Sequence, residues 1–313
     1  MQSFRREPIN LSHQSLLHNL FWKMDIALSE NTFANVYLFR EKHRYEVLIG
    51  DHLYIKGTHH DNASYIMVTE PIYQLPKLEI LQLLTEVDFL YPIPLAWKSY
   101  FSPDIFSIES KDEDKDYVFT LEKMRRYPGR KLSGKRNLVK NFLENNTPIA
   151  EVLTTKHIPA AKQILEEWNN SLEEPQTTDY DACMEALDLW GKIDCLNGRI
   201  YFINDKPVGL IIGSLLNPRC YVIDFMKGNK AYKGLYQYLY QDCALHLSDV
   251  IEYINLEQDL GKPQLAQAKH SYEPDCFCSK LRISLVPGVK EKIISGIAIS
   301  NMAWEGNVED VLC

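Results

Sequence analysis

The order in which strand and helix patterns follow one another through the second half of the chain limits its fold more than any other feature. Residues 149–153 read as a short strand, and residues 158–170 place Ile158, Ala161, Ile164, Leu165 and Trp168 at helical spacing. Asp179 or Asp181 stands where it caps a second helix, which Gly191 ends. Residues 199–203 and 207–215 flank the turn Asn204-Asp205-Lys206 and predict a hairpin, with a further strand over 220–225. A tyrosine-rich helix over 233–247, opened by Gly234, leads to a strand at 251–255, a helix at 262–270 and a closing strand at 277–285. This alternation predicts an α+β domain built on a mixed sheet.

The first half is less regular. Helices are expected over 16–28 and 75–87, strands over 45–49, 53–56 and 65–68, and a capped aromatic segment over 29–38. A degenerate copy of the same unit is expected from them, although no repeat is strong enough to establish duplication. At 313 residues the chain is long enough for about two domains. A change of charge separates the halves: after a polar turn at 111–116, residues 123–140 carry eight Lys/Arg and no acid. The expected division is a first domain at 1–120, a basic linking helix at 121–148, a second domain at 149–285 and a tail at 286–313.

Composition excludes several classes. With 34 Lys+Arg against 42 Asp+Glu the net charge is −8, which argues against a general nucleic-acid coat but leaves room for one basic surface. No run approaches the ~18 apolar residues of a spanning helix, and the N-terminus lacks the apolar stretch of a secretory signal. The seven cysteines, without zinc-finger spacing, read as reduced thiols of a cytoplasmic protein that meets a membrane at most peripherally. His59-His60-Asp61 reads as a polar turn rather than a metal pair, because neighbours on a strand point to opposite faces, and no metal is expected. No Walker loop or dinucleotide fingerprint occurs, and Cys243 with His246 lacks the orienting group of a cysteine nucleophile.

Several residues are candidates for chemistry, each with a plainer alternative. Gly234, in Lys233-Gly234-Leu235-Tyr236, would let backbone N–H groups approach an anion; it would equally serve a helix start that needs a small residue. Asn255, Glu257 and Asp259 alternate past a strand, so an extended chain puts them on one face at the carboxyl edge of the sheet. Otherwise they cap the helix near Pro263 or hold a loop. Asp224, Glu257 and Asp259 are the candidate bases, and Tyr272 is a candidate acid or a packing tyrosine. Lys227, Lys233 and Lys269, with Gly234, Tyr236 and Asn255, are candidates for holding a donor's phosphate or a developing oxyanion, unless the lysines are solvated surface charges. Arg130, Lys131, Lys135, Arg136, Asn137 and Lys140 suit tRNA phosphates or anionic lipid headgroups, or else pair with the acidic surface.

Three stretches carry a family resemblance: Phe33-Ala34-Asn35-Val36-Tyr37-Leu38-Phe39-Arg40; Leu132-Ser133-Gly134-Lys135-Arg136-Asn137-Leu138-Val139-Lys140-Asn141-Phe142; and Tyr253-Ile254-Asn255-Leu256-Glu257-Gln258-Asp259-Leu260-Gly261 with Ala266-Gln267-Ala268-Lys269-His270-Ser271-Tyr272-Glu273-Pro274. Supported by Lys233-Gly234-Leu235-Tyr236-Gln237, the set resembles a bacterial family related to the C-terminal catalytic domain of phosphatidylglycerol lysyltransferase. The resemblance implies tandem GNAT-like acyl-CoA N-acyltransferase folds whose sheet splays between its fourth and fifth strands. It implies a basic helix that receives aminoacyl-tRNA, and transfer of the aminoacyl group to a lipid or other amine or hydroxyl acceptor. No cofactor is required beyond the co-substrate, aminoacyl-tRNA or acyl-CoA. The alternatives are an acyl-CoA-dependent N-acetyltransferase and a non-catalytic nucleic-acid, lipid or ligand-binding module. Around the fourth strand the chain reads Ile223-Asp224-Phe225-Met226-Lys227, where a histidine and a glutamate are expected near the lysine, so the substrate does not carry over.

Overall fold

The computed structural model describes residues 4–173 and 178–295, and the chain folds as two units. One unit takes the residues up to Asp116, the short segment Gln258–Gly261 and the chain from Phe277; the other takes Tyr117–Glu257 and Lys262–Cys276.

The first unit contains β1 (Arg5–Pro8), α1 (Gln14–Met24), α2 (Phe33–Leu38), α3 (Arg40–His43), β2 (Glu46–Ile49), β3 (Leu53–Thr58), β4 (Ser64–Val68), α4 (Lys77–Glu86), β5 (Phe89–Pro94) and β6 (Phe106–Ser110). The capped aromatic segment is α2: extended Thr32 accepts from the Asn35 N–H at 3.0 Å, and Phe33, Ala34 and Val36 behind it are buried. Next come β7 (Asp116–Thr120), α5 (Leu121–Arg126), α6 (Ser133–Asn145), β8 (Pro148–Val152), α7 (Ile158–Asn170), α8 (Tyr180–Asp188), β9 (Asn197–Ile203), β10 (Lys206–Asn217), β11 (Cys220–Gly228), α9 (Leu235–His246), β12 (Tyr253–Asn255), α10 (Pro263–His270) and β13 (Cys276–Cys278). The last described elements are β14 (Lys280–Leu285) and α11 (Val289–Ile294).

Both sheets have seven strands, in the orders β1-β2-β3-β4-β5-β14-β6 and β8-β9-β10-β11-β12-β7-β13. The pairing pattern is the same in each. Four strands meet antiparallel, and a helical crossover then brings the fifth in parallel, since a parallel partner cannot be reached by a tight turn. That parallel contact is short, two residue pairs for β4–β5 and three for β11–β12. The sixth place is filled by a strand from the other half of the sequence, β14 in one sheet and β7 in the other.

These memberships correct the expected division. Residues 277–285 form two strands rather than one, and β14 joins the first sheet. Strand β7, expected within 1–120, joins the second. The basic segment does not link the units: α5 and α6 both lie inside the second. Val139 and Phe142 of α6 enter that unit's core beside Phe119, Met124, Tyr127, Tyr221 and Leu239, while Leu143 is exposed. The tail beyond residue 295 lies outside the described residues.

The side chains of β14 explain its partner. Lys280, fully buried, lies 2.7 Å from Glu30 Oε1, 2.7 Å from Asp116 Oδ1 and 2.9 Å from Gln258 Oε1. Although burial opposes the charge, Asp116 and Glu30 hold the Lys280 ammonium above its ordinary value. Arg282, two residues on, reaches Asp61 at 2.7 Å and Asp114 at 2.9 Å. A strand carrying two buried cations is stable only where acids await them, and all four acids belong to the first unit. Among the described residues, no helix is long and apolar enough to cross a membrane.

Candidate active site

The expected opening between the fourth and fifth strands is present in the second unit. Strand β11 pairs with β12 only through Cys220, Tyr221 and Val222, opposite Tyr253, Ile254 and Asn255. It then runs on to Gly228 without β12, which ends at Asn255. Asp224 sits two residues past the last pair. On the other side of β11, Ile212 faces Phe225 and Gly213 faces Ile223, so Asp224 is the extra residue of a bulge. Bulges re-aim a side chain in this way, commonly near functional sites.

The environment of Asp224 is unusual for a carboxyl group. It is buried, and its polar partner among the described residues is the buried Ser214 hydroxyl, which donates to Oδ2 at 3.0 Å. Burial pushes the Asp224 carboxyl up to about 7, against a smaller downward pull from Ser214. Such a group exchanges a proton at neutral pH, which is what a general base needs. Ser214 carries no sequence signal of its own.

The expected acidic face does not form. The chain leaves the strand at Asn255, whose Oδ1 accepts from the Glu257 N–H at 2.6 Å, and Glu257 itself takes a left-handed φ of 59°. A residue in that region cannot continue an extended strand, so Asn255, Glu257 and Asp259 do not share a side. Asn255 is a turn-holding residue and Glu257 presents its carbonyl to Lys269 Nζ at 3.2 Å. Asp259 accepts from the Gly261 N–H at 2.8 Å and belongs to the first unit. Alternation beyond a strand's end is no guide, because the pleat stops there.

The candidate phosphate-binding residues are mostly engaged in packing. Lys227 is buried, paired with both oxygens of Asp179 at 2.8 Å and 4.1 Å over the Trp168 ring. Tyr236 donates to the Gly228 carbonyl at 3.0 Å, and burial raises its pKa. Gly234 has φ 93°, and a Cβ there would lie 2.4 Å from the Leu138 carbonyl oxygen of α6. A glycine is therefore required by backbone conformation and by close helix packing, without any anion. Lys233 is exposed, and Lys269 is buried against Glu257. Tyr272 is a packing tyrosine: it accepts from Gln237 Nε2 at 3.1 Å, lies under Lys135 Nζ at 3.8 Å, and burial pushes its pKa up. None of these residues contacts Asp224 among the described hydrogen bonds and ion pairs. A cavity of about 180 Å³ lies beside Trp168, Pro207, Gly228 and Asn229, at the ends of β10 and β11.

The basic residues form a partly committed surface. Arg136 donates to the Tyr127 and Gly129 carbonyls, Lys131 pairs with Glu273 at 2.8 Å, and Lys135 reaches Ser271 at 2.6 Å while burial lowers its pKa. Lys140 pairs with Glu144 at 3.7 Å. Arg130 and Asn137 are exposed. The exposed ion pairs of Lys131 and Lys140 are worth little and yield readily to a ligand. A groove of about 440 Å³ is lined by Arg126, Arg136 and Lys140 together with Val139, Leu143, Glu144 and Gln241.

Sequence reasoning also missed the polar interior of the first unit, where Lys280 and Arg282 meet their acids and where burial, with Arg282, pushes His59 down to about 4. Its one signal is two charges spaced by two at the start of β14, which places both on one face.

Comparisons agree with this architecture. A conserved protein from Bacteroides thetaiotaomicron is 21% identical, with a TM-score of 0.79 over 91% of this chain and 100% of that one. The C-terminal domain of a putative lysylphosphatidylglycerol synthetase from Agrobacterium fabrum is 12% identical, with a TM-score of 0.59 over 92% of this chain and 96% of that one. An uncharacterised protein of Mycoplasmoides gallisepticum is 22% identical over 219 residues, 68% of each chain. The family model described as phosphatidylglycerol lysyltransferase, C-terminal, matches residues 23–280, so the two mixed sheets are of the GNAT-like acyltransferase type and the chain belongs to that family.

Proposed function

We propose that this protein transfers an aminoacyl group from aminoacyl-tRNA to an amine or hydroxyl acceptor, with Asp224 as general base in the opening beside β11. The observation that carries this reading is the buried Asp224 carboxyl, without a cation partner among the described residues and raised to about 7 where β11 parts from β12. The acceptor's nitrogen or oxygen attacks the ester carbonyl, its proton passes to Asp224, and the ester C–O bond breaks at the tRNA 3′ oxygen. Asp224 passes the proton to that departing oxygen, which leaves as the 3′ hydroxyl, so no covalent enzyme intermediate is needed. Positioning and charge stabilisation supply most of the rate. Family membership supports the donor, as do the exposed Arg130, Lys131, Arg136, Asn137 and Lys140, which suit the phosphates of tRNA or of an anionic headgroup.

The test incubates the protein with tRNA charged with labelled amino acids, phosphatidylglycerol vesicles and simple amines. Label leaving the tRNA for the lipid or amine, and ceasing to do so in Asp224→Asn, is the expected result. Label that stays on tRNA while acetyl-CoA is consumed moves the reading to N-acetyl transfer. Inertness towards both, with binding retained, makes the protein a binding module.

A further inference from the structure

We propose that His59, His60 and Asp114 bind a divalent transition-metal ion of the zinc class, with Glu113 beside them, at a site that joins two turns of the first unit. The three residues offer ligand atoms that all lie within 4.8 Å of one another. A tetrahedral site with bonds of about 2.0–2.2 Å sets its ligand atoms roughly 3.4 Å apart. His60 is half exposed, so its side chain is free to rotate the remaining distance and to leave an entry path. The strand argument against this pair fails because β3 ends at Thr58: both histidines lie past it, with ring centroids 3.9 Å apart.

The surroundings of His59 point independently to a cation. Its Nδ1 lies 3.3 Å from Asp61 Oδ1, and its Nε2 lies 3.8 Å from Asp114 Oδ1. A neutral imidazole has one N–H and one lone pair. It donates to one of these carboxylates, and at the other its lone pair confronts an oxygen that also only accepts. A metal ion between Nε2 and Asp114 Oδ1 turns that repulsion into coordination. Asp61 then takes the Nδ1–H, the carboxylate–histidine–metal arrangement that fixes a ligand's tautomer.

Arg282 is the rival cation, and its geometry disqualifies it. Its Nη2 lies 3.2 Å from His59 Nδ1 and 3.1 Å from Nε2. An atom nearly equidistant from both nitrogens in the ring plane would collide with Cε1. The guanidinium therefore lies over the ring face and takes neither lone pair. Arg282 instead holds Asp114 and Asp61 through their Oδ2 atoms, at 2.9 and 2.7 Å, which leaves each Oδ1 facing His59. Glu113 Oε1, 3.6 Å from His60 Nε2, adds a further acid on the exposed side.

The experiment is equilibrium dialysis of the whole protein against Zn²⁺ with bound metal counted, and Co²⁺ as a spectroscopic probe. We expect one ion per chain, visible Co²⁺ bands without a thiolate charge-transfer band, and binding weakened by about tenfold or more in His60→Ala. Zn²⁺ should also raise the melting temperature of the wild type more than that of His60→Ala, whose fold depends little on a half-exposed side chain. Failure to retain either ion overturns the proposal. So does a thiolate band, which would put the metal on cysteine, or equal binding by the wild type and His60→Ala.

Discussion

Two buried carboxyl sites, one in each unit, answer the cost of burial in opposite ways. In the first, Glu30 and Asp116 share the fully buried Lys280. In the second, Asp224 has a hydroxyl and no cation among the described residues. Lys280 is locked in its charged form by the two acids that face it, although burial still raises the Glu30 carboxyl. A lone carboxyl held by one hydroxyl has no such lock and exchanges its proton near neutrality. Burial alone therefore does not set a carboxyl's proton affinity; the charges beside it matter as much.

The largest test of this contrast is Lys280→Met. It strands two acids in the interior and should lower unfolding free energy by about 3–5 kcal/mol in urea titrations; a loss below about 1 kcal/mol would remove the contrast. Asp224→Asn should behave in the reverse sense. The folded value of about 7 lies above the unfolded value of about 3.9. The folded state thus keeps a proton that the unfolded state releases, and the Asp224 contribution, full below about pH 4, is lost as pH rises through 7. The variant escapes that loss. It should match the wild type near pH 4 and exceed it at pH 8 by at most on the order of 4 kcal/mol, while transfer falls roughly 10²–10⁴-fold. A variant less stable at pH 8 would mean that Asp224 is as structural as Glu30.

Gly234→Ala sharpens the picture of the α9 start, costing about 1–3 kcal/mol through strain and the Leu138 carbonyl. Gly129→Ala, also at positive φ but with open space around it, should cost less; equal losses in the two melting curves would show that the carbonyl crowding is unimportant. The smallest effect on stability, within about 0.5 kcal/mol, is expected for Arg130→Ala with Lys140→Ala. Measured against tRNA, each removed phosphate contact should flatten the salt dependence by about one unit of slope.

Local periodicity made most elements legible: α7, α9, α10 and the β9–β10 hairpin follow from caps and apolar spacing, whereas the stretch that holds α2 was legible only as a capped aromatic segment. Partnership was not legible. A period of two says that residues 280–285 form a strand but not which sheet receives it, and the answer lies in acids as distant as Glu30 and Asp61. At the site, Asp224 stood out as a carboxyl on the fourth strand, but its tuning depends on Ser214 across the β10–β11 pair. Glu257 and Asp259 misled because alternation was extended past Asn255, where a left-handed residue turns the chain.

The insertion of β14 between β5 and β6 also has a consequence in time. During synthesis, β5 and β6 emerge long before residue 280, and at ~5–20 residues per second the wait is roughly ten to thirty seconds. Throughout it the nascent first sheet has two facing, unpaired edges, the kind of surface that recruits other chains. A ribosome that stalls within the second half would release a product with both edges still open, so chaperone dependence should rise with slow translation rather than with heat.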